Sequence, residues 1–184
     1  MEREISRKTF VKISGVVLVS MQMGTAGCGS VETMERRIVL GSLDETLREL
    51  DKLEKAQKIL VPGDWNGNQV LHHCSQSIEY SISGYPIHKN FLFQKTIGRI
   101  VMNKFLSQGY MSHNLGDPIP GAPELPREES ISTGLKRLRT AIQNFQSLSG
   151  KPAPHFVYGD ASKSDYDKIH SMHVANHLSV FQIS

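Results

Sequence analysis

The chain has little cysteine, a single tryptophan and no apolar run long enough for a good membrane span. Its two cysteines, Cys28 and Cys74, cannot build a disulfide framework. The apolar run near the amino terminus, Ile13 to Met23, is short and interrupted by Ser14, Gly15, Ser20 and Gln22. There is no P-loop, no G-x-G-x-x-G turn and no G-x-S-x-G elbow, so nothing marks a nucleotide-binding fold or a serine hydrolase. Surplus charge is lacking too. The formal net charge is +3, and Arg3, Arg7, Lys8 and Lys12 against Glu2 and Glu4 place +2 of it in residues 1–27. The rest of the chain is near neutral, with no basic patches interleaved with aromatics, so no nucleic-acid partner is expected.

What is present suffices for one globular core, with 39% of 184 residues hydrophobic and 21% charged. The pattern is helical throughout, and no segment carries a convincing strand alternation. Ser42 opens a first helix in the capping box SLDE, with Leu43, Leu47, Leu50 and Leu53 on one stripe up to Gln57. A second helix is expected from about Asn66 to Ser83, stopped by Gly84 and Pro86. A third runs from Phe91 to Leu106, with Phe93, Ile97, Ile100, Val101 and Phe105 as core candidates. A long segment rich in Gly and Pro follows, Gln108 to Arg127; such a loop in a small domain is usually functional or disordered. The fourth helix spans Ser130 to Leu148 with Leu135, Leu138, Ile142 and Phe145 in register. A last one starts near Ser162 and holds the stretch Asp165 to Phe181. The fold class is therefore all-α, four core helices plus one extra.

That last stretch, DYDKIHSMHVANHLSVF, is the most informative. His170, His173 and His177 lie three and four residues apart, on one stripe of a helix. Neutral imidazole is the commonest protein ligand for transition metals, and two histidines one turn apart joined by a third from a facing helix can hold an ion with positions left open. His72 and His73 are the upstream candidates. They point about 100° apart, so only one can readily face the core. His170 is a fourth ligand, a group supporting the ligands, or a general base. His155, in the loop before the last helix, is expected at the surface or the pocket mouth. His88 and His113 have no motif around them, and changing either should leave metal binding alone. Cys74 reads as a buried, inert thiol, and Trp65 as packing at the entrance of the second helix. Because a ligating imidazole must be neutral, binding should weaken as pH falls through about 6.5.

The amino terminus reads as an export signal: basic SRKTFVK, a short apolar run, then the small residues GTAGCGS. SRKTFVK resembles a twin-arginine signal with Lys8 in place of the second arginine. Thr25-Ala26-Gly27-Cys28 resembles a lipoprotein box with Thr25 where leucine is preferred. The expected organisation is a signal over 1–27, a spacer over 28–41 and a helical domain over 42–184. The expected location is the bacterial periplasm or cell envelope, with membrane contact only through a lipid on Cys28.

Taken together, WNGNQVLHHCSQSIEYSISGYP, the PGAP of the long loop, HFVYG and HVANHLSVF resemble the DinB-like (DinB/YfiT) superfamily, in its uncharacterised branch, the domain of unknown function DUF1569. The resemblance covers roughly Glu35 to Phe181. It implies a four-helix bundle with a long crossover loop and a divalent metal held by one histidine of the second helix and two of the last. By position those are His73, His173 and His177. Zinc or nickel would suit such a site best, with iron or manganese tolerated. The resemblance implies metal-dependent chemistry such as hydrolysis or thiol-group transfer, with His170 nearest for proton transfer, an unidentified small-molecule substrate, and homodimers as a common assembly. The alternative is a non-catalytic envelope protein that binds metal or a small ligand.

Overall fold

The computed structural model describes residues 36, 38–128 and 130–184. The export segment expected over 1–27, Cys28 and most of the spacer after it lie outside these residues. Helix α1, Leu43–Lys55, begins where Ser42 Oγ accepts from the Glu45 amide at 3.3 Å. The Glu45 carboxylate reaches back one residue further than a capping box requires, accepting from Gly41 N at 2.7 Å. Leu43, Leu50 and Leu53 are buried along one stripe. The chain is already held before α1, since Arg36 N donates to Ser179 O and the Arg36 guanidinium pairs with Glu49.

Helix α2, Gly67–Ser83, has a complete capping box between Asn66 and Gln69. Every residue from Gly67 to Ile78 is buried. A helix buried on all sides is the centre of its domain, and α2 packs against both later long helices. Its closest neighbour is α4, Ser132–Ser147. The α4 amino terminus has no cap from its own side chains. Instead Asn68 Oδ1, on α2, accepts from Gly134 N at 2.9 Å and from Thr133 Oγ1 at 3.1 Å. A Cβ on Gly134 would stand 2.8 Å from both Asn68 Oδ1 and Leu71 Cβ, so glycine is what permits this approach. Leu135, Leu138, Ile142 and Phe145 of α4 are buried as their spacing predicts.

Helix α5, Lys163–Leu178, is started by Ser162 and Asp165 in a full capping box. It contacts α1 and α2. It runs antiparallel to α2: His73 meets His173 and His177 near one end, and Ser81 meets His170 near the other. It ends at Leu178, and Phe181 beyond it is fully buried.

Helix α3, residues 91–108, differs from expectation. It is α-helical over Phe91–Phe93, π-helical over Gln94–Gly98 and α-helical again over Arg99–Gln108. The π turn adds a residue and rotates the downstream face by about 100°. Ile97 and Ile100, expected in the core, are 53% and 68% exposed, whereas Met102 is 1% exposed. Val101 and Phe105 pack partly against the core. Gly98 lets α3 lie close against the backbone at Val157, since a Cβ there would lie 2.2 Å from the Val157 carbonyl oxygen.

The described residues also hold one β-ribbon. Ile59–Leu60 (β1) pairs antiparallel with Gln182–Ile183 (β2), and Lys58 and Ser184 exchange backbone hydrogen bonds beside it. Two-residue strands are too short to show alternation in sequence. The architecture remains all-α, and no helix among the described residues is long and apolar enough to cross a membrane.

Candidate metal centre

His72 and His73 leave α2 about 100° apart and go to different helices. His72 turns to α4, where its Nδ1 lies 2.9 Å from Arg137, itself paired with Glu79. His73 turns to α5 and meets His173 and His177. One ring nitrogen from each of the three lies within 4.8 Å of the others. The rings stand 5.2 Å (His73–His173), 4.7 Å (His73–His177) and 4.7 Å (His173–His177) apart. All three are buried, with exposures of 3%, 9% and 0% for His73, His173 and His177.

The donor set suits a metal ion. His173 Nε2 and His177 Nε2 are 3.1 Å apart. Two nitrogens at ~2.0–2.1 Å from one ion stand about 2.9–3.4 Å apart between right-angled and tetrahedral geometry. Burial lowers the pKa of His73 to about 4, with nearby His113 adding to the effect. Burial first, then the neighbouring imidazoles, holds His173 and His177 well below the usual histidine value. All three rings are therefore neutral at physiological pH, and protons compete for them only well below the 6.5 expected of unperturbed histidine. The Nδ1 atoms of all three are buried without a hydrogen-bond partner. An unpaired buried polar group costs ~1–3 kcal/mol. These Nδ1 atoms are the opposite ring nitrogens to the Nε2 pair that meets between His173 and His177, so the case for an ion rests on the Nε2 geometry and the burial of the three rings.

Other residues close around the triad. The Trp65 ring lies 4.9 Å from that of His73 and stacks at 6.4 Å over His177, so the tryptophan covers the cluster as well as leading into α2. The loop after α3 crosses the other side, anchored by buried Met111 and Ile119. It brings the His113 ring to 5.0 Å from both His173 and His177. The sequence gives His113 no motif, and only the path of the loop places it here. His88 stays exposed, beside Gln94.

A cavity of about 540 Å³ opens beside the triad, with His73, His173 and His113 among its lining residues. Its walls are mostly apolar, among them Val101, Phe105, Met111, Ile119 and Ile169. Lys89, Asp117 and His155 supply polar groups. A smaller cavity, about 180 Å³, lies under Trp65 against His177.

His155 is 6% exposed rather than a surface group. Its Nδ1 accepts from the amides of Val157 at 3.1 Å and Tyr158 at 3.3 Å, which leaves the proton on Nε2. The ring stacks on Tyr158 at 4.2 Å. This self-capped turn leaves no periodic trace in the sequence. His170 is fully buried, stacked on Tyr166 and edge-on to Phe145, with Nε2 2.9 Å from Ser81 Oγ. It lies one to two helical turns before the triad's level on α5 and is not among the residues lining the cavity. Cys74 is buried and free, and burial pushes its thiol far up, out of the nucleophilic range.

Fold and site define a helical protein with a buried trio of histidines that could hold a metal ion beside an apolar cavity. Residues 33–183 match the family model described as protein of unknown function (DUF1569), and the chain belongs to that family. No curated protein and no solved structure matches it.

Proposed function

We propose that the protein is a metal-dependent hydrolase or thiol-group transferase of DinB-like four-helix type, with a divalent ion, zinc or nickel, on His73, His173 and His177. The observation that carries this reading is the triad itself: three buried, neutral imidazoles brought together, two of which, His73 and His173, line a cavity large enough for a small substrate. When bound, the ion supplies Lewis-acid activation of a nucleophile and of the group attacked.

The chain's own residues do the rest. The apolar walls exclude water and select a substrate with an apolar body. His155, with its proton fixed on Nε2 by two backbone amides, is a hydrogen-bond donor for orienting a polar substrate group. Trp65 shields the triad on the far side. His170, locked to Ser81, takes a structural part rather than a proton-transfer one. In this reading the protein acts in the cell envelope after removal of residues 1–27, which the mass of the native chain would check.

The test is a screen of zinc- and nickel-loaded protein against activated esters and against an electrophilic aryl halide with a thiol co-substrate. Turnover above that of the free ion is expected in one class and should vanish in His173→Ala. Absence of turnover in both classes would favour a protein that only binds metal or ligand.

A further inference from the structure

We propose that His113 is a fourth, exchangeable ligand for the ion, carried by the loop and displaced when substrate enters. The proposal rests on the metal reading of His73, His173 and His177. Its first support is distance. The His113 ring centroid stands 5.0 Å from those of His173 and His177; its nitrogens fall outside the set of donor atoms that lie within 4.8 Å of one another, so a small movement of its loop is what would bring it to the ion. The second is chemistry. His113 Nδ1 lies 2.8 Å from the Asn114 carbonyl oxygen, which can only accept, so the ring proton sits on Nδ1 and the Nε2 lone pair is free. An imidazole that gives its other N–H to a backbone carbonyl has the usual support of a metal ligand.

The third support is placement. Asn176, on α5 next to His177, reaches the His113 carbonyl at 3.5 Å, so the helix carrying two ligands also steadies the loop. Exchangeability follows from exposure. His113 is exposed while the triad is buried, and it lies beside that tight cluster, at the cavity where a substrate must approach. A ligand on irregular chain can move away without disturbing a helix.

The experiment loads copper(II) into wild type, His113→Ala and His88→Ala, and counts coordinated imidazoles by pulsed electron paramagnetic resonance. Zinc affinity is measured alongside by calorimetry. Expected are four imidazoles in wild type and His88→Ala, three in His113→Ala, and an affinity roughly 10–100-fold weaker for His113→Ala alone. Acetohydroxamate, a small chelating probe, should lower the wild-type count from four to three and leave His113→Ala at three. Three imidazoles in wild type, or four persisting in His113→Ala, would overturn the proposal and leave the triad reading intact. Failure of wild type to take up either ion would overturn both.

Discussion

A buried imidazole is tolerated in a protein interior only while it is neutral, and six of this chain's histidines are buried, His72 among them with its value lowered by burial and by the Arg137 charge. Burial takes His73 to about 4 and His170 to about 3, and holds His155, His173 and His177 well below the usual value of 6.5. The unfolded chain regains ordinary histidines, so below about 6.5 it binds more protons than the folded chain does. The stability these groups contribute is complete above that pH and is lost as pH falls through it toward the folded-state values. The melting temperature of the ion-free protein should therefore drop steadily from pH 7 to pH 4. In His170→Gln the drop should be shallower, because one buried titrating ring is gone. A melting temperature that stays level from pH 7 to pH 4 would contradict this. Because His170 is bound to Ser81 and absent from the cavity lining, His170→Gln should keep its ion.

At the scale of elements, close approach of α2 and α4 positions His73, because it fixes how α2 is rotated toward α5. Gly134→Ala tests that approach. Alanine favours a helix over glycine by ~1 kcal/mol. Here, however, the added Cβ meets Asn68 Oδ1 and Leu71 Cβ at 2.8 Å, and forcing apart packed groups costs about 1–3 kcal/mol. Urea unfolding should show Gly134→Ala less stable than wild type; equal or greater stability would show that the helices part easily. These long helices are legible in the sequence because their signals are local: helix starts at Ser42, near Asn66 and near Ser162, and buried stripes such as Leu135, Leu138, Ile142 and Phe145. The inward face of α3 is not legible, since the π turn at Gln94–Gly98 shifts the register of the residues after it. His73, His173 and His177 stand out by type and helical position. His113 and the turn holding His155 do not, because irregular chain has no period and its path is set by distant anchors such as Met111 and Ile119.

At the scale of the whole molecule, the candidate site joins one residue of α2 to two of α5, about a hundred positions later in the chain. The triad exists only while the core holds α2 and α5 together, so an ion bound there acts as a bolt between them. Such an ion binds the folded chain and adds stability by linkage, about 2.7 kcal/mol at a hundred times its dissociation constant. The most direct measurement is calorimetric titration of zinc and nickel into protein without a histidine tag, at neutral pH, with metal analysis of the recovered protein. One ion per chain is expected for wild type and none for His173→Ala. No uptake by wild type, or equal uptake by His173→Ala, would contradict the assignment of the metal to His73, His173 and His177.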